Sequence, residues 1–147
     1  METGLRSLAI LEAAFPKRFD LQRLVELDYL VVHSADIGGP ESLHAPLPLR
    51  AGELLVRREL IERGLLLMIS KGLIERRVTA EGIEYAADEQ ATPYLTGLSA
   101  PYTVRLRERA RWLVSNFDGF STDELRDLIR HFFSRWSSEF EPLKAIG

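Results

Sequence analysis

The sequence contains no cysteine. That excludes disulfides, zinc ribbons and cysteine nucleophiles, and it fits a reducing cytoplasm. Histidine is scarce as well: there are three, and no two stand at the i, i+4 spacing of a helix-borne metal site. Excess positive charge is missing, with 19 Lys+Arg against 22 Asp+Glu, a net charge of −3 and a pI near 5.7. A surface that grips nucleic acid over its whole extent needs concentrated positive charge, so only a local basic patch is compatible with this balance. No apolar run approaches the roughly 20 residues of a membrane helix. The first residues, METGLRSLAILEAAF, superficially resemble a short secretion signal. Glu2 and Glu12 interrupt the pattern, however, and no small-residue cleavage site follows. Neither an internal repeat nor a low-complexity segment is present. A soluble, cytoplasmic chain that does not enter a membrane is expected.

What is there suffices for a core. Hydrophobic residues make up 46% of 147 positions, which rules out global disorder and fits one domain. Leu5, Leu8, Leu11 and Phe15 recur at helical spacing and predict an amphipathic helix over 4–15, stopped by Pro16. Asp20 is placed to cap a second helix over about 21–34. A long helix over 50–71 has Gly64 as its one weak point, and its second half, LLLMIS, is apolar all round, which predicts burial on most sides. Residues 73–87, LIERRVTAEGIEYAA, change to a period of two and predict a strand, a tight turn at TAEG and a second strand. Pro93 and Pro101 punctuate a connector with about one helical turn between them. A helix over 102–117 follows, with Leu106, Ala110, Leu113 and Phe117 as its buried stripe. Ser121 with Glu124 is a capping-box signature for a last helix over about 122–138, whose stripe is Leu125, Leu128, Ile129, Phe132, Phe133 and Trp136.

The order helix, helix, strand–turn–strand over 21–87 predicts a mostly α (α+β) fold: a winged helix-turn-helix with a two-stranded β-hairpin wing and flanking helices. The expected organisation is a single domain over 1–147, with an N-terminal helix at 1–19, a winged-helix core at 20–90 and a C-terminal helical extension at 91–147. Gly72, after the long helix, is placed for a left-handed C-cap. A winged helix suggests DNA binding, and Arg57, Arg58, Arg63, Lys71, Arg76 and Arg77 could reach phosphates. Glu53, Glu59, Glu62 and Glu75 are interleaved with these, and the would-be recognition helix spends its surface on LLLMI. Docking of a protein therefore outweighs DNA reading, with weak contact through the wing pair Arg76 and Arg77. On the helix over 102–117, Arg105 with Arg109, and Arg107 with Arg111, stand at i, i+4 against a single acid, Glu108. That stripe suits an acidic partner or a nucleic-acid backbone, or else is a solvated face paired with acids elsewhere. The aromatics Phe132, Phe133, Trp136 and Phe140 are either core or interface anchors.

The stretch HSADIGGPESLHAPLP, residues 33–48, gathers His33, Asp36, Glu41 and His44. These are the one plausible metal or acid–base cluster in the sequence. Their spacing matches no helix-borne metal signature, and Ser34 and Ser42 lie in no strand–elbow context. The stretch is better explained as a shaped connector, with Gly38–Pro40 making a turn and Pro46 and Pro48 holding an extended arm. If it has a role beyond shape, contact with a partner protein is expected.

Three segments carry a resemblance to a known family. They are YLVVHSADIGGPESLH, RAGELLVRRELIERGLLLMISKGLIERR and PYTVRLRERARWL, together spanning roughly residues 20–115. The chain resembles the small middle component of bacterial ABC three-component anti-phage systems, which are related to the Lamassu type. The resemblance implies a non-enzymatic adaptor without a cofactor. It would sit beside an ABC ATPase of the SMC or Rad50 kind and bridge it to an effector protein or regulate that effector. The family brings no catalytic residues, so none are carried over. Two rival expectations stay open. One is a homodimeric winged-helix transcription regulator; the other is a metal-assisted hydrolase using His33, Asp36 and His44.

Overall fold

Helix α1 (Glu2–Ala13) sits at the centre of the helical packing. The structure, a computed structural model, describes residues 1–43 and 51–131, and for residues 36, 37 and 51–55 it describes the backbone alone. Every residue from Arg6 to Leu11 is buried. The amphipathic pattern of the sequence therefore understates this helix: α3, α5 and α2 all pack on it and cover more than one face. Removing Leu8, Ile10 and Leu11 from water contributes roughly 1.5–3 kcal/mol each. The helix ends before Phe15, which is 50% exposed rather than part of the core stripe.

A two-residue strand β1 (Phe19–Asp20) leads into α2 (Leu21–Val32). Asp20 caps α2 as its residue type predicts, its side chain accepting from the Arg23 N–H at 2.8 Å. Leu24, Val25, Leu27, Leu30 and Val31 face the core. A 3₁₀ turn (Ser34–Ile37) then ends at Gly38, whose φ of 76° explains why a glycine stands there.

Helix α3 (Ala51–Ser70) crosses α1 at a pair of glycines. A Cβ on Gly64 would lie 2.6 Å from the Gly4 amide nitrogen, and one on Gly4 would lie 2.9 Å from the Gly64 carbonyl oxygen. Gly64 is thus the point of closest backbone approach, not a defect in the helix. Ile61, Leu65 and Met68 are buried, at the 4- and 3-residue spacing of one helix face. The expectation that LLLMI is covered on most sides fails: Leu66 is 59% exposed, and Val56 and Leu60 on the N-terminal side are exposed too. Helices α1 and α2 pack on the inner side of α3, and among the described residues Val56, Leu60 and Leu66 on its outer side stay exposed. The helix ends in a Schellman pair, with Gly72 at φ 74°, the Gly72 N–H donating to Ile69 and the Leu73 N–H to Met68.

Strands β2 (Ile74–Thr79) and β3 (Gly82–Ala87) form the expected hairpin, turning at Ala80–Glu81. Thr79 braces the turn: its hydroxyl donates to the Gly82 carbonyl and accepts from the Glu81 N–H. The sheet has three strands rather than two. β1 pairs antiparallel with β3, Phe19 opposite Tyr85, giving the order β1-β3-β2. Two residues bounded by Arg18 and a helix cap are too short to show a period, so β1 leaves no sequence signal. The described chain is mostly helical with this small antiparallel sheet.

Helix α4 (Ala91–Thr96) is the expected short turn, and α5 (Pro101–Phe117) buries Leu106, Ala110, Leu113 and Phe117 as the sequence predicts. The helix α6, described over 122–131, opens with the predicted capping box: the Ser121 N–H donates to Glu124 Oε1 and the Glu124 N–H to Ser121 Oγ, both at 3.1 Å. Leu125 and Ile129 of α6 are buried. Phe132, Phe133 and Trp136 lie outside the described residues. Among the described residues no helix is long and apolar enough to cross a membrane.

Charged side chains tie the helices together. Asp28 of α2 is fully buried and accepts from Arg6 Nε of α1 at 2.8 Å and from Arg57 Nη1 of α3. Arg57 also lies over the Tyr29 ring, 5.6 Å from its centre. Glu12 of α1 accepts from Arg107 of α5 at 3.0 Å and from the Thr92 hydroxyl of α4 at 3.2 Å. Glu26 of α2, 4% exposed, accepts from Gln22 and, at 3.4 Å, from Arg126 of α6.

Candidate functional site

An open groove lies between α3 and the β2–β3 hairpin. It encloses about 620 Å³, within the range of about 300–1,000 Å³ usual for ligand clefts. One wall is a stripe of α3 at i, i+4, i+8 spacing: Arg58, Glu62 and Leu66. The opposite wall is one face of the hairpin. Arg76 stands opposite Tyr85 in the register, with Val78 opposite Ile83 one step farther out on that face. The start of α2, Asp20 to Gln22, closes the end. The apolar lining is Leu21, Leu66, Ile83 and Tyr85.

The charges in this groove are unevenly committed. Asp20 Oδ1 is occupied by its capping bond. Arg58 Nη1 donates to Gln22 Oε1 at 3.0 Å, and its Nε lies 3.8 Å from Glu62. Arg76 is exposed and has no hydrogen-bond or ion-pair partner among the described residues. Arg77 is also exposed, but it points from the opposite face of β2, opposite Glu84. The two wing arginines therefore do not form one patch.

The α5 arginines separate in a similar way. Arg107 is spent on Glu12, and Arg109 donates its Nε to the Glu41 carbonyl oxygen at 2.9 Å. Arg105 and Arg111 remain exposed, with no partner among the described residues. Half of the stripe is thus the internal pairing that composition alone left open. The nearby Arg23 donates to the Phe120 carbonyl at 2.7 Å and lies over the Phe19 ring, holding the entry to α6. Burial lowers its guanidinium below the ordinary value, against the opposing charges of Asp118 and Asp20.

The loop after α2 is bound to the body of the protein. The Ser34 hydroxyl donates to the Pro40 carbonyl at 2.9 Å, and the Ala35 N–H donates to Ser42 Oγ at 3.0 Å. Gly39 lies against the Trp112 ring so closely that a Cβ there would be 2.3 Å from it. His33, 3% exposed, packs against Tyr29 with ring centres 4.7 Å apart and the planes tilted by 44°. Glu41 is exposed. Asp36 belongs to the 3₁₀ turn, its side chain outside the description, and His44 lies outside the described residues. Among the described residues no three His, Asp or Glu side chains are close enough to hold a metal ion. Tyr102 of α5 donates to Glu2 at 3.1 Å; burial pushes its phenol up, the Glu2 bond adds to that, and Arg6 opposes it.

The groove residues Leu66, Ile83 and Tyr85 were missed as site residues by sequence reasoning. The signal was present in the apolar circumference of 65–69, which a helix in contact on one side cannot bury completely. Over residues 1–139 the chain matches the family described as ABC-three component (ABC-3C) system Middle Component 2. No curated protein and no solved structure matches it.

Proposed function

The chain belongs to the Middle Component 2 family of ABC three-component systems, and from that membership we propose that it is a non-enzymatic accessory subunit. It acts in the cytoplasm beside the ABC ATPase of its system, one of the SMC or Rad50 kind, and bridges that ATPase to an effector or regulates the effector. The observation that carries this reading is the family match over 1–139. The Lamassu-like anti-phage role rests on the segment resemblance.

The fold supports a winged helix used for docking. The element order α1-β1-α2-α3-β2-β3, with strand order β1-β3-β2, is that expected of a winged helix-turn-helix. In that arrangement α3 is the recognition helix. Its outward side carries Val56, Glu59, Leu60, Glu62 and Leu66, all exposed. Leucines suit a protein surface, while the exposed Arg58 and Arg63 are offset by Glu59 and Glu62, so the helix concentrates no positive charge for phosphates. Contact with DNA is confined to weak steering by Arg76, Arg77 and Arg105.

Co-expression with the ATPase and effector of the same system tests the reading. The three are expected to elute together from size-exclusion chromatography, and deletion of this subunit is expected to abolish phage protection. Separate elution combined with undiminished protection refutes it. Tight, salt-sensitive binding to one promoter, lost in an Arg76→Ala/Arg77→Ala variant, would instead establish the homodimeric regulator.

A further inference from the structure

We propose that the groove between α3 and the β2–β3 hairpin is the docking site for an extended segment of another subunit of the system, one that carries two apolar side chains and a carboxylate. This deepens the accessory-subunit reading and rests on it.

The apolar part follows from exposure. Leu66 is 59% exposed and Ile83 38%, on walls that face each other, with Tyr85 half-buried between them. Val78 extends the same hairpin face and is 75% exposed. Isolated exposed leucines are ordinary on a protein surface, but apolar side chains gathered along one concave strip with charged rims mark an interaction site. A space of about 620 Å³ holds a few side chains and not a packed helix pair, which fits a short extended segment.

The carboxylate follows from charge complementarity. Four charged groups line the groove. Asp20 is committed to the α2 cap, and Arg58 and Glu62 neutralise each other along α3. Arg76 is left as the unspent charge among the described residues, on the same hairpin face as Tyr85 and beside the apolar strip. A carboxylate presented there gains a charge-assisted, two-pronged hydrogen bond. A nucleic-acid backbone presents many anions and no apolar side chains, and on α3 it would meet Glu59 and Glu62 interleaved with Arg58 and Arg63, a face with no net positive charge.

The test uses the full chain co-expressed with the ATPase and effector. p-Benzoylphenylalanine is placed at position 66 or 78, the complex is irradiated, and the adduct is mapped by mass spectrometry. The expected adduct is with one segment of another subunit, apolar and bearing Asp or Glu. Arg76→Glu and Leu66→Glu are each expected to weaken assembly by about tenfold or more. Both sites are exposed, so thermal unfolding of the free subunit should hardly change. Converting the mapped carboxylate to Lys should restore assembly with Arg76→Glu. Undiminished assembly of both variants overturns the docking site while leaving the accessory-subunit reading intact. Adducts with DNA, with a second copy of this chain or with its own residues 132–147 overturn it too. If the unmodified subunits do not assemble, both ideas fall.

Discussion

Removing the Asp28 carboxylate is expected to cost more stability than any other single charge change among the described residues. Asp28 is fully buried, and each of its two oxygens serves a different arginine. Burial alone would lower the Arg6 guanidinium, but the charge and hydrogen bond of Asp28, with a smaller contribution from Tyr102, together outweigh it and hold Arg6 above its ordinary value. In Asp28→Ala, Arg6 keeps only Glu2 as an ion-pair partner, at 3.3 Å and with that carboxylate largely exposed. Arg57 is less constrained, because 24% of its side chain already meets solvent. The dominant loss is therefore an uncompensated charge at Arg6. Breaking a buried pair in this way costs about 3–5 kcal/mol, or about 6–20 °C in Tm at roughly 2–4 °C per kcal/mol for a chain of this size. Asp28→Asn should recover less than half of that loss, because its amide presents one acceptor and one donor to two donors. Arg57→Met should cost less than Asp28→Ala, about 1–3 kcal/mol, since Arg6 still pairs. Urea and thermal unfolding of the three variants decide the matter. An Asp28→Ala protein within about 1 kcal/mol of the parent would refute the reasoning, as would an Arg57→Met loss equal to it.

Three further outcomes are expected. Gly64→Ala should destabilise by about 1–3 kcal/mol through overpacking against Gly4, although alanine is intrinsically about 1 kcal/mol better than glycine inside a helix; chemical denaturation reads the sign. Ser121→Ala should cost about 1 kcal/mol by removing one arm of the α6 capping box, visible as a lower unfolding midpoint, with Ser121→Asp retaining most of it. The raised Tyr102 phenol gives a pH dependence. Folding favours the protonated form, so this contribution is complete below the unfolded value of about 10 and is lost as pH rises through the folded value. Stability measured from pH 9 to 11 should therefore fall less steeply in Tyr102→Phe than in the parent, after correction for other tyrosines.

The elements were legible in the sequence where local chemistry decides them. Asp20, Gly72 and the Ser121–Glu124 pair act within a few residues of themselves, and each does what its type and position indicate. The α5 stripe and the hairpin were legible for the same reason: their periods are complete within one element. What stayed hidden is non-local. β1 exists only because β3 lies beside it. The encirclement of α1 depends on three helices that follow it, and Gly64 acquires its meaning from Gly4. For the candidate site, the arginines were visible, but which of them were spent was not. Arg107 finds its acid 95 residues away, a distance at which sequence spacing carries no information. The family resemblance read from three segments is the family the chain matches.

The central place of α1 also has a kinetic consequence. Its partners begin at Asp28 and extend to Arg107, separations of 22 and 95 residues. Most of what stabilises this helix thus requires closing long chain segments, and a helix of 12 residues is marginal alone in water. Local helices and the hairpin can form early, but the apolar girdle they leave has no plug until α1 inserts. Refolding should consequently run slower than in a bundle whose neighbours are adjacent in sequence. The species that accumulates before insertion should expose a greasy channel between α3 and α5, the state most prone to aggregate.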